Sequence, residues 1–294
     1  MRKGSLKYHR SLGGIFVGAV LCCLTATACT EEKEASVPAP TPTPPAATEV
    51  NADPRDYNQY TELVWSDEFD GSALNQTKWT YEVSDNWFNN ELQATTNSSE
   101  NLFLTGGNLT IQAKREQLRN RQYTSARIIT KGKQDFAYGR IDVRAKLPKG
   151  KGIWPAIWML GSNDSQAPWP ACGEIDIMEL RGSQPAVNIS TVHFGNTVAE
   201  RKFKGTEIRL PSGDFSDDYH IFSLVRSKGQ LRWFLDGQQY FTITPNDASP
   251  YPFDNKFYMI LNVAVGGDFD GNPDASTTFP KQMQVDYVRY YQYK

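Results

Sequence analysis

The run Arg140-Ile141-Asp142-Val143-Arg144-Ala145-Lys146-Leu147 places an apolar residue at every odd position and a charged one at every even position. Successive side chains point to opposite sides only on an extended strand, so the run predicts a half-buried strand with a wet outer face. Similar short runs recur at 108–114, 125–130, 221–226, 231–235, 258–265 and 284–291. Turn residues separate them at Gly106-Gly107, Lys228-Gly229 and Asp236-Gly237, the last a two-residue hairpin signal. No window as long as an ordinary helix carries a helical stripe. The pattern predicts an all-β fold of two packed antiparallel sheets, a sandwich or jelly roll.

Residues 1–28 gather their charge at the start, in Arg2, Lys3, Lys7 and Arg10, ahead of the apolar run Gly13 to Leu24 and the small residues Thr25 to Ala28. That is the layout of a bacterial export signal, and the run is too short for a stable membrane span. Cys29, following Ala26-Thr27-Ala28, points to a lipoprotein signal cleaved before Cys29, with lipid on that residue. Plain secretion is the alternative, and Cys22 after Leu21 is a weaker acceptor. The acidic Thr30-Glu31-Glu32-Lys33-Glu34 resembles the stretch after the lipidated cysteine of surface-exposed lipoproteins. The expectation is an outer-membrane lipoprotein displayed on the cell surface and attached to the membrane through its lipid only. From Glu31 to Arg55 the prolines 38, 40, 42, 44 and 45 favour an extended spacer. The expected layout is a signal at 1–28, lipidated Cys29 with a linker at 29–56, and one domain at 57–294, a monomer.

Composition narrows the function. The chain holds 31 Lys and Arg against 33 Asp and Glu, a net charge of −2. Loss of the four cationic residues of the signal makes it more acidic still, and such a surface does not displace counterions from phosphates, so nucleic acid is not expected as a partner. The 7 Trp, 14 Tyr and 15 Phe are more aromatic surface than a core requires, and flat rings outside a core stack on sugars. Removal of the signal leaves Cys29 and Cys172, so no internal disulfide is expected and Cys172 reads as a small buried hydrophobe. There is no histidine pair at metal-ligand spacing, no Gly-x-Ser-x-Gly elbow and no glycine-rich phosphate loop.

The segment Trp169-Pro170-Ala171-Cys172-Gly173-Glu174-Ile175-Asp176-Ile177-Met178-Glu179-Leu180 sets three carboxylates among strand-forming apolar residues. Burying even one unpaired charge is costly, so three in one strand need a chemical reason. On a regular strand Glu174 and Asp176 share a side and Glu179 faces the other; a bulge at Ile177-Met178 returns Glu179 to that side. The two Glu Cα atoms are then about 13 Å apart at about 3.3 Å per residue. Side chains leaning together bring the carboxyls to about 5–6 Å, the spacing of a retaining glycosidase. Asp176 between them would push the ionisations of the pair apart and keep one carboxyl protonated. The competing readings are a solvated acidic strand or a metal site.

This segment resembles the bulged active-site strand of glycoside hydrolase family sixteen, and most closely its laminarinase-type β-glucanases. The likeness extends through Leu63–Gly71, Asn89-Asn90-Glu91-Leu92-Gln93, Thr124–Ile128, Gly152–Met159 and Val285–Arg289. It implies a β-jelly-roll with a cleft across the concave sheet and endo-acting hydrolysis with retention of configuration, on β-1,3-glucan such as laminarin or on mixed-linkage β-1,3/1,4-glucan. It implies Glu174 as nucleophile, Glu179 as acid/base and Asp176 as their assistant, with no cofactor for catalysis. Trp154, Trp158 and Trp169 would be sugar platforms, Asn90 and Arg127 would hydrogen-bond sugar hydroxyls, His193 would touch substrate near the acid/base, and Asn262 is a further cleft candidate. Core packing competes for the Trp residues, loop and surface pairing for Asn90 and Arg127. His220 reads as structural. The family often binds a structural Ca²⁺, here matched by Glu68, the Gly107 carbonyl and Asp286, with a simple ion pair as the alternative for Asp286. The run Asp268-Phe269-Asp270-Gly271-Asn272 lacks the bidentate Glu of a calcium loop and reads as a cleft edge. A glucan-binding protein without catalysis and a transglycosylase are the competing functions.

Overall fold

The computed structural model describes residues 51–294, which lie in one compact unit. The expected export signal, Cys29 and most of the expected linker fall outside the described residues. Seventeen strands follow one another: β1 Glu62–Asp67, β2 Thr80–Tyr81, β3 Gln93–Thr95, β4 Leu102–Thr105, β5 Asn108–Ala113, β6 Tyr123–Ser125, β7 Arg127–Ile129, β8 Gly139–Lys146 and β9 Ile153–Gly161. They continue as β10 Glu174–Leu180, β11 Val187–Phe194, β12 Lys202–Arg209, β13 His220–Ser227, β14 Gln230–Leu235, β15 Gln238–Ile243, β16 Phe257–Val265 and β17 Lys281–Gln292. The helices among the described residues are three short 3₁₀ turns. Each predicted strand run is present, and the fold is the expected antiparallel jelly-roll sandwich.

Apart from the small parallel pair of β3 and β6, one large sheet runs β15-β14-β13-β8-β17-β5-β4, with β1 also paired to β17; the second runs β12-β11-β10-β9-β16-β7-β2. Their facing sides share one apolar core that includes Ile141 and Val143 of β8, Ile157 and Met159 of β9, Ile175 of β10 and Trp233 of β14. At the β14–β15 hairpin, Asp236 and Gly237 both take positive φ, 50° and 79°. That is the conformation whose twist matches the flanking strands, and it is why Asp-Gly stands there.

The expected wet face of β8 is corrected at one position: Arg140, Arg144 and Lys146 are half-buried, but Asp142 is shielded from solvent. Asp142 is buried, accepts a hydrogen bond from Tyr57 Oη at 3.3 Å and pairs with Arg140 at 3.2 Å. The chain before β1 covers this face: Tyr57 and Tyr60 pack with Val225, Phe234, Tyr291 and Tyr293. The same cover moves the domain boundary. Asn51 is 4% exposed, its Oδ1 accepts the Tyr293 N–H at 2.5 Å, and the Lys228 N–H donates to the Ala52 carbonyl at 2.7 Å. Residues 51–56 therefore belong to the folded domain, not to the linker. The alternation of β8 could not report this, because the cover comes from residues about ninety positions away in sequence. Cys172 is free and buried, and burial pushes its thiol up to about 11, so it is inert at neutral pH.

Candidate active site

The bulge forms where the spacing of the carboxylates required it. Between β10 and β11 the register runs Asp176↔Thr191 and then Glu179↔Ile189, and between β10 and β9 it runs Asp176↔Trp158 and then Met178↔Ile157. One extra residue at Ile177-Met178 thus brings Glu179 onto the side of Glu174 and Asp176. A bulge frees backbone groups that must be satisfied. Here the Ile177 carbonyl accepts from Ser190 Oγ at 2.8 Å, and the Asp176 carbonyl accepts from the Trp233 indole of the other sheet at 3.0 Å. The core-facing side chains Ile175, Ile177 and Met178 hold the strand down from below.

Asp176 is buried and Glu174 and Glu179 are half-buried, and burial pushes each carboxyl up to about 8. The charge of Asp176 raises Glu174 and Glu179 further, because like charges in a poorly hydrated site resist joint ionisation. The three therefore titrate as a coupled set in which one carboxyl can stay protonated at neutral pH. Asp176 is 3% exposed, and its Oδ2 has no hydrogen-bond partner.

His193 lies opposite Glu174 in the register, with Nε2 at 3.6 Å from Glu174 Oε1 and 3.4 Å from Asp176 Oδ2. The bulge pairs Glu179 with Ile189, so the carboxylates that His193 faces directly are Glu174 and Asp176. Arg201 Nη1 stands 3.3 Å from His193 Nδ1. A guanidinium only donates, so Nδ1 accepts and the ring proton sits on Nε2, facing the carboxylates. Glu174, Asp176 and His193 are also compact enough for a cation, their ligand atoms lying within 4.8 Å of one another. A cation there would occupy the carboxylates that the chemistry needs free.

The aromatic residues divide by role. The Trp154 indole donates to Glu179 Oε1 at 3.0 Å and stacks on Phe269 with centroids 4.6 Å apart. The Trp158 indole donates to Asn262 Oδ1 at 2.7 Å, so Asn262 fixes that ring and is itself buried. Trp169 lies 6.3 Å from the His193 ring. Arg127 is held between the Trp87 and Trp158 rings, at 4.6 and 4.8 Å, and its Nε bonds Glu82. Its charge is thus already paired, and it braces the Trp158 end of the site. Asn90 Nδ2 donates to Asp268 Oδ1 at 2.9 Å, tying two loops of the cleft edge together. The Asp268–Asn272 run is held there by Asp270, whose carboxylate accepts the Gly152 N–H and is bonded by Ser183 Oγ. His220 belongs to the other sheet and contacts Asp236 at 2.7 Å.

Sequence reasoning missed Trp87, Phe269, Arg201 and Trp233. Trp87 stands just before the Asn89-Asn90 motif and Phe269 inside the acidic run, so neighbourhood was a usable signal for both. Trp233 reaches the site through the core from another sheet, and no local pattern announces that. The calcium set is brought only partly together. Glu68 follows Asp67, which pairs with Val288, while Asp286 and Gly107 lie just past the Val285↔Leu109 pair, so all three lie midway along β17, where β1 and β5 meet. Glu68, however, forms a two-pronged pair with Arg289 at 2.7–3.2 Å, and Asp286 pairs with Arg144 at 2.6 Å. Both carboxylates already have cationic partners.

Comparison with known proteins agrees with this geometry. A glucan endo-1,3-beta-glucosidase of Niallia circulans is 42% identical over 257 residues, 78% of this chain and 37% of that protein. The chain thus spans little more than a third of that relative. A beta-glucanase of Rhodothermus marinus is 42% identical over 265 residues, covering 83% of this chain and 90% of the relative. The crystal structure of the laminarinase catalytic domain from Thermotoga maritima matches with a TM-score of 0.74 at 40% identity, over 79% of this chain and 98% of that one. The profile of Glycosyl hydrolases family 16 matches residues 65–289, which include the bulged strand and every residue of the site above, and the chain belongs to that family.

Proposed function

We propose that the protein is a retaining endo-β-glucanase that hydrolyses β-1,3-glucan such as laminarin, or mixed-linkage β-1,3/1,4-glucan. The observation that carries this reading is the set Glu174, Asp176 and Glu179 gathered on one side of a bulged strand, with the Trp154 indole on Glu179. Glu174 attacks C1 of a glucosyl residue while Glu179 gives its proton to the departing oxygen, forming a glycosyl-enzyme. Glu179 then takes a proton from water as the water oxygen attacks C1 and breaks the bond to Glu174. Two inversions leave the configuration unchanged. Asp176 keeps the two Glu residues in different protonation states, and the indoles offer faces to the axial C–H groups of β-linked glucose. Retention of all three carboxylates favours hydrolysis over mere glucan capture. Incubation with laminarin, lichenan, barley β-glucan and agarose should release oligosaccharides from one or more of the glucans; no cleavage of any glucan, with binding intact, would transfer the assignment to glucan capture.

Two further proposals concern the rest of the chain. Calcium at Glu68, the Gly107 carbonyl and Asp286 is supported by their shared place where β1 and β5 meet along β17 and opposed by the two arginine pairs. If it binds there, chelation lowers Tm by about 2–4 °C for each kcal/mol lost and leaves activity at ambient temperature unchanged. An unchanged Tm would assign both carboxylates to their arginines. The lipoprotein layout predicts that Cys29→Ala moves the full-length protein from the membrane to the soluble fraction, and membrane attachment of that variant would remove the lipid anchor from the account.

A further inference from the structure

The face that bears the carboxylates continues beyond them. Register carries one row of side chains from Leu160 on β9 through Glu174 on β10 and His193 on β11 to Phe203 on β12, the edge strand. Directly opposed residues of antiparallel strands share a side, so Phe203 stands on the side of Glu174. Its ring lies 5.9 Å from that of His193. Phe203 is 65% exposed and packs into none of the apolar clusters of the domain.

The neighbours on β12 leave that ring open. Lys202 and Lys204 point to the opposite side, where Lys204 Nζ pairs with Asp247 at 2.6 Å and Lys202 Nζ reaches the Ser249 carbonyl at 3.4 Å. Arg201 lies between the platforms, its guanidinium carbon 5.7 Å from the centre of a Trp169 ring and 5.7 Å from that of Phe203. One of its five N–H donors is used on His193, and the exposed remainder can meet hydroxyls. An open ring beside a planar donor group matches the two sides of a sugar, with C–H groups on the ring and hydroxyls on the donors.

We propose that Phe203, with Arg201 beside it, forms an outer subsite for an uncharged β-linked glucosyl residue of the bound chain. Two strand spacings of about 4.8 Å separate β12 from β10, so the subsite lies about 10 Å, or about two sugar residues, from the nucleophile. The proposal rests on the glucanase reading and adds that efficiency depends on chain length through this strand.

The test compares kcat/KM of the full-length wild type, Phe203→Ala and Phe203→Trp on laminari-oligosaccharides of increasing length and on laminarin. Phe203→Ala should lose about tenfold, equivalent to about 1.4 kcal/mol of stacking, on chains long enough to reach β12 and nothing on the shortest cleaved chain. Phe203→Trp should retain the advantage of long chains. Tm of both variants should match the wild type, because the ring is outside the core. Equal losses at every length would mean that Phe203 acts through His193 on the chemistry and would overturn the subsite, as would no loss at any length. A wild type that cleaves no glucan would instead sink the glucanase reading, so the two failures are distinguishable.

Discussion

Glu174→Gln should lower laminarin hydrolysis by about four orders of magnitude or more while leaving the fold and glucan binding in place. The amide oxygen is too weak a nucleophile to attack C1, so the glycosyl-enzyme does not form. The substitution should not destabilise the protein, because the half-buried carboxyl is held up to about 8 by burial and by the charge of Asp176. A neutral amide of the same shape removes that desolvation and repulsion, and Tm should stay level or rise. Reducing-end assays beside a thermal melt check both halves. Azide added to Glu174→Ala should give the α-glucosyl azide, since azide then enters from the face the carboxylate vacates. Activity within tenfold of the wild type would remove Glu174 from the nucleophile role.

Loss of the acid/base should have a different signature. Glu179→Ala should cost about a thousandfold on laminarin, whose leaving oxygen needs a proton, and far less on an aryl glucan with a good leaving group. Here azide should give the β-glucosyl azide, because it intercepts the glycosyl-enzyme. The pH profile supplies the second readout. Burial, with the charge of Asp176, raises Glu179 to about 8, whereas the Trp154 indole hydrogen bond lowers it. A raised pKa keeps the proton on Glu179 at neutral pH, so wild-type kcat/KM should fall as pH rises through that region. The variant should lack this alkaline limb. An alkaline limb that persists in Glu179→Ala would assign the acid to another group.

Both predictions start from residues that were legible in the sequence, for a physical reason. Charges among apolar strand residues are expensive, and three of them between positions 174 and 179 had a consistent geometry only with one inserted residue. The bulge at Ile177-Met178 was therefore inferred from the cost of the alternative. His193 shows the limit of that reasoning: its strand could be read, but its partner depended on a register that the bulge itself shifts. Arg127 and Asn262 show another limit. Both lie at the site, yet Glu82 and two indoles occupy one, and the Trp158 N–H occupies the other. Their residue types suited sugar contact, whereas their partners came from separate strands and loops.

By itself the sequence determined the alternating strands, the hairpin at Asp236-Gly237, the two-sheet sandwich and the identity of the three carboxylates. All of these follow from local periodicity, local backbone preference and the local cost of burying charge. Tertiary structure decided how much of the outer side of β8 is covered, where the domain begins, which indoles and arginines brace which carboxylate, and that the face bearing the carboxylates runs on to Phe203 at an edge strand. Those features depend on strand order and on cover from segments distant in the chain. A period of two reports that a strand has two sides, and only the assembled sheets decide what lies against each.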